Sequence, residues 1–324
     1  MSEPILTNLM RQACAEARKG LGATLPNPSV GAIALDANGD VLAVAATCGL
    51  HAEARLIETC RTQELLPRIH TMCVTLEPCN HQGRTPPCTE AIINAGIKRV
   101  VIGTRDPNPY VKGGGIERLR EAGIEVVSGV NEDECKQLIQ AFAYTVLTRK
   151  PWITIKRAFD KNGSMIPPPG QKTFTSPDSL RLTHRLRKKA DAIITGSGTI
   201  LADNPLFTVR QVLDHVGKRR WLAILDRRGR VPGDWLTAAY GQRLDAFIYK
   251  SIEQAVADLT AKGVQDILVE AGPVVSQAMM DSRLWVMSVT IHQGDPDRIE
   301  VEFNPDVMIP FDTAKFNWDT FLPT

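Results

Sequence analysis

Apolar positions change period repeatedly along the first half of the chain. Over "TNLMRQACAEARKG" they recur at helical spacing, which predicts an amphipathic helix stopping at Gly20. "VGAIALDANGDVLAVAAT" reads as two strand runs about a turn at Asn38-Gly39. Helical spacing resumes in "HAEARLIETC". "IHTMCVTLEPC" predicts a buried strand running into Pro78-Cys79. "PPCTEAIINAG" predicts a helix with prolines before its first turn and Gly96 after its last. Strand, helix, strand and helix follow in "KRVVIGT", "GIERLREAG", "IEVVSG" and "EDECKQLIQAFAYTVL".

A basic turn and Pro151 interrupt this series, placing a linker near Thr148–Pro151. The expected domains are 1–148 and 149–324. The second half alternates again, through "ADAIITGSGTI", "RWLAILD", "LDAFIYK", "IEQAVADLTAKG" and "QDILVEAGPVVSQAMM". Such alternation implies the α/β class, with a mostly parallel sheet and helical cover in each domain.

Composition narrows the partners. The 324 residues carry a net charge of +2, too balanced to imply a nucleic-acid or membrane partner. The start has no secretory pattern, and no apolar run reaches the roughly 18 residues that span a bilayer. A cytoplasmic location is expected. Seven cysteines, an odd count, then read as ligands or plain thiols rather than a disulfide framework.

Three residues form a candidate metal set. His51 and Glu53 open the "HAEARLIETC" helix, Cys79 ends the "VTLEPC" strand, and Cys88 begins the next helix. One imidazole and two thiolates are the protein share of a catalytic zinc site, which keeps its fourth position open. Zinc lowers the pKa of a bound water to about 7, and Glu53 can carry a proton from that water to a leaving amine. His-x-Glu, then Pro-Cys and a second Cys, is the arrangement of zinc deaminases, although eight residues here separate the cysteines where cytidine-type enzymes have two. A closed structural zinc site would typically use a fourth ligand rather than Glu53.

With these motifs go "LPNPSVGAI", "HQGRTPPCTEAIINAGIKRVVIGTRDPNPYVKGGGIERLREAGIEV", "RLRKKADAIITGSGTILADNPLFTVR" and "ILVEAGP". Together they resemble the bifunctional riboflavin-biosynthesis deaminase/reductases. The resemblance implies a cytidine-deaminase-like three-layer domain followed by a dihydrofolate-reductase-like α/β domain. It implies zinc-dependent hydrolytic deamination of a phosphorylated ribosylaminopyrimidine, then NADPH-dependent reduction of the ribosyl group to a ribityl chain. One zinc per chain would sit on His51, Cys79 and Cys88, with Glu53 as proton shuttle. Asn27, Arg84, Asp106 and Asn108 would face the substrate, although Asn and Asp in such turns also bond local backbone. Lys156 and Glu270 match the reduction site, with an ordinary salt bridge as the alternative. Arg187 and Arg210 match positions near the substrate phosphate. Thr199 and Asp203 match cofactor contacts, joined by Gly272 in the Gly-Pro turn and by Arg227 or Arg228 for the extra phosphate of NADPH. A homodimer through the second domain is also implied.

The chain departs from the family pattern in five places. The loop before His51 is short and lacks a glycine-flanked histidine, with Cys48 near that place. "DKNG" puts Asn162 where the family has aspartate, and Thr173 stands where a tryptophan is expected. The tail carries "RLWVMSVTIHQG" in place of the usual Leu-Val-Asp-Glu run. The rival readings are a deaminase whose second domain serves only dimerisation or substrate binding, and a zinc deaminase acting on a free nucleoside or nucleic-acid base. The net charge and the cysteine spacing disfavour the latter.

Overall fold

In the computed structural model the first helical stripe becomes α1 (Glu3–Arg18), which buries Leu6, Leu9, Met10, Ala13, Cys14 and Ala17 along one face. Residues 2–82, 86–109, 114–168, 170–171 and 173–324 are described. The expected hairpin follows as β1 (Gly31–Leu35) and β2 (Val41–Ala46), paired antiparallel. A β-carbon on Gly31 would lie 2.0 Å from the Ala13 carbonyl oxygen, so glycine lets α1 press directly on β1.

Next come α2 (Ala52–Thr62), β3 (Thr71–Leu76), α3 (Cys88–Asn94), β4 (Arg99–Thr104), α4 (Gly115–Glu121) and β5 (Glu125–Ser128). The expected long helix after β5 is two, α5 (Glu132–Leu138) and α6 (Gln140–Thr148), separated at Ile139 where ψ is 14°. The sheet order is β2-β1-β3-β4-β5, with the last three strands parallel. β3 is buried along its whole length, as a parallel strand covered on both faces should be. Helices α1 and α5 pack together over the sheet, and α2, α3 and α4 form a second connected layer. Because β3 and β4 run parallel and in register from Leu76 to Thr104, the chain leaves both at the same end. That end carries Cys79 and Asp106.

The second series gives β6 (Trp152–Phe159), α7 (Pro177–Lys189), β7 (Ala192–Gly196), α8 (Ser197–Asp203), β8 (Arg220–Leu225) and α9 (Gly233–Gly241). It continues through β9 (Leu244–Tyr249), α10 (Ile252–Ala261), β10 (Asp266–Glu270), α11 (Pro273–Ser282), β11 (Met287–His292) and β12 (Arg298–Phe303). The order is β12-β11-β6-β10-β7-β8-β9, parallel throughout except for β12. Helix α7 had no predicted counterpart. Its Ser176 cap accepts the Ser179 N–H, Pro177 starts its first turn, and three basic residues end it. Among the described residues no helix is long and apolar enough to cross a membrane.

The chain divides into one unit of residues 1–149 with 310–324 and another of 150–309. The final fifteen residues, assigned by sequence to the second domain, thus pack with the first unit. Their short helix α12 (Trp318–Phe321) contacts α1 and α5. Gln137 on α5 donates to the Lys315 carbonyl at 2.9 Å and accepts the Asn317 N–H at 2.9 Å. Phe316, Trp318 and Phe321 stack edge to face, with Phe321 fully buried. Phe321→Ala should therefore destabilise the first unit by about 3–5 kcal/mol. Calorimetry is expected to show the first unit's transition lowered by roughly 10 °C and that of the second unmoved. An unmoved first transition would separate the tail from that unit.

Candidate active sites

Three breaks in regular structure deliver the candidate metal ligands. His51 is the extended residue capping α2, Cys79 follows β3 across Pro78, and Cys88 is the first residue of α3. His51 Nδ1 lies 3.6 Å from Cys79 Sγ and 3.3 Å from Cys88 Sγ, and the three ligand atoms fall within 4.8 Å of one another. A nitrogen and a sulfur bound to one tetrahedral zinc are roughly 3.6 Å apart, given bonds of about 2.0 and 2.3 Å. The donor types and spacing therefore fit zinc. Among the described residues no fourth His, Cys, Asp or Glu joins the group.

The thiols are electrostatically unequal. The Cys88 thiol hydrogen-bonds Cys79, and against burial this contact, His51 and the Cys88 N–H hold Cys79 down at about 4. Cys79 and burial push Cys88 up in return. Glu53, in the first turn of α2, is 4% exposed, and burial pushes its carboxyl up to about 7 against the pull of its own backbone N–H and of His51.

The residues expected to read the substrate are half-buried turn residues. Asn27 donates its N–H to Thr24 O at 2.9 Å. Asp106 accepts the Asn108 N–H on Oδ1 at 2.9 Å, and burial raises its pKa. The local-backbone role of these turns is therefore present. Arg84 lies outside the described residues. Cys48 is exposed and stands apart from the ligand group. Glu77 had drawn no notice in the sequence, yet it is buried with its carboxylate on two backbone N–H groups. The signal was an acid directly after a strand of mostly apolar residues.

In the second unit, Lys156 and Glu270 are aligned neighbours on parallel strands β6 and β10. Lys156 Nζ is 3.7 Å from Glu270 Oε1. The tighter partner is Arg187, whose Nε and Nη2 fork onto Glu270 at 2.7 and 2.6 Å while Nη1 donates to Thr208 O at 3.0 Å. Burial raises the Glu270 pKa, but Arg187 and Lys156 outweigh it and hold the carboxyl at about 2. Burial and Arg187 lower Lys156 against the pull of Glu270. The Arg210 N–H donates to His184 Nδ1 at 2.8 Å, and the Arg210 side chain bonds Thr208 Oγ1 at 2.6 Å. One cluster thus joins Lys156, Glu270, Arg187, His184 and Arg210. His184 was missed, although it sits three residues before Arg187 on the same helical face.

Burial, then Arg187 and Arg210, depress His184 to about 4. A base depressed on folding stabilises the fold above its unfolded pKa of about 6.5 and loses that stabilisation as pH falls through its folded value. The second unit should lose stability between about pH 6.5 and 4. Melting scans across that window are expected to show the slope, and His184→Gln to reduce it. An equal slope in the variant would clear His184 of the effect.

The expected cofactor residues fall around two strand ends. Thr199, half-buried in α8, accepts the Gly272 N–H at 3.0 Å and so ties the turn before α11 to α8. Asp203 ends α8 and is exposed, as is Arg227 after β8. Asn162 and Thr173 are exposed, and Asp160 holds the "DKNG" turn by accepting the N–H groups of Asn162 and Ser164 at 2.9 and 2.8 Å.

Comparison with known proteins follows this division. The family model of the cytidine and deoxycytidylate deaminase zinc-binding region matches residues 5–104, and that of the RibD C-terminal domain matches residues 151–285. The chain is 34% identical over 322 residues to the riboflavin biosynthesis protein RibD of Aquifex aeolicus, covering 95% of this chain and 89% of that protein. It is 35% identical over 280 residues to the RibD of Corynebacterium ammoniagenes, covering 83% and 80%. A crystal structure of a diaminohydroxyphosphoribosylaminopyrimidine deaminase/5-amino-6-(5-phosphoribosylamino)uracil reductase from Thermotoga maritima superposes with a TM-score of 0.79. Its sequence is 31% identical, and the match covers 97% of this chain and 93% of that one.

Proposed function

This chain belongs to the RibD family of riboflavin-biosynthesis proteins, and we propose from that premise that each unit holds one of two consecutive reactions. It is a bifunctional enzyme, a zinc-dependent deaminase joined to an NADPH-dependent reductase. The observation that carries the first half is the convergence of His51, Cys79 and Cys88 beside a buried acid.

Zinc, when bound there, supplies Lewis acidity toward a water that replaces the amine. His51, Cys79 and Cys88 would hold the metal, the two cysteines binding as thiolates. Glu53 moves a proton to the leaving amine from a carboxyl walled off from bulk water. Asp106 and Asn27 present an acceptor and an amide to the edge of a diaminopyrimidinone ring. Asn108 and Arg84 complete that contact, Arg84 by a forked bond to the ribosyl phosphate. Asp106→Asn exchanges one acceptor oxygen for a donor and should raise KM for deamination about tenfold or more. Steady-state ammonia release checks this, and an unchanged KM would remove Asp106 from the contact.

In the second unit NADPH, when bound, supplies the hydride that turns the ribosyl into a ribityl group. The cationic cluster fits a phosphorylated substrate and cofactor. Lys156 holds the ribosyl oxygen, Glu270 fixes that ammonium and Arg187 in place, and Arg187 and Arg210 offer charge to the substrate phosphate. Thr199, Asp203, Gly272 and Arg227 take the cofactor, Arg227 at the extra phosphate. Incubation with the ribosylaminopyrimidine phosphate, with and without NADPH, followed by mass detection of each product, tests both halves. Deaminated product that NADPH leaves unreduced would favour a second unit serving only dimerisation or substrate binding.

A homodimer through the second unit and a cytoplasmic location complete the reading. The family likeness supports both, and the seven free cysteines suit a reducing compartment. Light scattering is expected to give twice the chain mass of 35.6 kDa.

A further inference from the structure

Glu77 stands between the last residue of β3 and the ligand-bearing Pro78-Cys79, and it is 4% exposed. Its Oε2 accepts the Asp106 N–H at 3.2 Å and its Oε1 the Ile116 N–H at 3.1 Å. Its own N–H donates to Thr104 O at 2.9 Å. Asn80, on the other side of Cys79, repeats the tie. Its Nδ2 donates to Gly114 O at 3.3 Å and its Oδ1 accepts the Thr89 hydroxyl at 2.9 Å. Between them the Pro78 carbonyl meets Gly115, where a β-carbon would lie 2.1 Å from that oxygen. The four residues from Glu77 to Asn80 are thus fastened to Asp106 and to the start of α4.

Among the described residues Glu77 has no Lys or Arg partner; its carboxylate is spent on backbone donors. Burying an acid is costly unless its oxygens are bonded. A residue with two acceptor oxygens is what a clamp on two N–H groups requires.

We propose that Glu77 is a positioning residue for deamination, holding Asp106 and Asn108 at a set distance from the metal ligand Cys79. The proposal rests on the reading of Asp106 as a substrate contact. Because Asp106 Oδ1 already accepts the Asn108 N–H, the side chain's direction follows the main chain that Glu77 holds. Glu77 touches neither ring nor metal. It sets the separation between the group that reads the ring and the centre that attacks it. Loosening that contact weakens the hold on the ring in the ground and transition states alike, which is read in KM.

Glu77→Gln keeps the shape but offers one acceptor oxygen, with an NH2 facing the other backbone donor. In the zinc-loaded full chain, zinc content should stay at one per chain. KM for deamination should rise about tenfold while kcat changes less than about threefold. Hydrogen exchange should quicken at the amides of Asp106 or Ile116. NADPH oxidation with deaminated substrate should not change. Gly115→Ala strains the same contact from the opposite side and should raise KM in the same way. Wild-type KM in both variants, or a fall in kcat that tracks lost zinc, overturns the proposal. The two claims fail separately. Unaltered KM in Asp106→Asn refutes the substrate contact, whereas unaltered amide exchange in Glu77→Gln refutes the clamp.

Discussion

Glu53→Gln is expected to abolish ammonia release while the protein keeps its zinc. Glutamine preserves the shape of the side chain in the first turn of α2 and leaves His51, Cys79 and Cys88 untouched. What it removes is a group able to take and give a proton. Positioned general acid–base groups contribute about 10²- to 10⁴-fold, and Glu53 must serve both directions of transfer, so the upper end is expected. Burial of the carboxyl, at 4% exposure, excludes bulk water as a substitute carrier. Zinc content is measured beside turnover in the same preparation. Unchanged turnover with full zinc would refute the assigned role, and turnover lost in proportion to zinc would make Glu53 a support of the metal site.

Lys156→Ala is expected to remove reduction and spare deamination. The ammonium sits 3.7 Å from Glu270, and Arg187 occupies the other approach to that carboxylate through a forked contact. Without Lys156 the Arg187–Glu270 pair remains neutralised, so the fold should survive. Glu270→Ala is the harsher change, because it leaves Arg187 buried without its counter-charge, a cost of about 3–5 kcal/mol. For Lys156→Ala the loss is about a hundredfold or more in NADPH oxidation, as for other groups that meet charge in the transition state. Ammonia release should be unchanged, since no ligand or proton carrier of the first unit is altered. Equal loss of both activities would contradict the separation of the two sites.

The grouping of His51, Cys79 and Cys88 was legible because the signals for it are local. His51, Cys79 and Cys88 each sit at a boundary between strand and helix, where apolar periodicity breaks and proline or a capping position marks the place. The α/β class was legible for the same reason, since the strands that form the two sheets are short apolar runs between helical stripes. Contacts distant in sequence were not legible. Nothing near residue 77 shows that its carboxylate meets the backbone of residues 106 and 116, because that meeting depends on β3 and β4 ending side by side. The pairing of Arg187 with Glu270 spans 83 residues and adds to the expected Lys156–Glu270 pair. The return of the tail to the first unit was hidden as well. Phe316, Trp318 and Phe321 lie far in sequence from α5, and only the packing against it shows which unit they complete. Helix α7 escaped because its polar, basic composition masks a stripe made by Leu182, Leu186 and the buried stems of Arg187 and Lys188.

The most direct test is X-ray absorption at the zinc edge of the purified, unchelated protein, with metal content measured on the same sample. One zinc per chain is expected, with two sulfur neighbours near about 2.3 Å, one imidazole nitrogen near about 2.0 Å and one further light ligand from outside the protein. Absence of zinc, a third sulfur, or a spectrum unaltered in Cys88→Ser would contradict it.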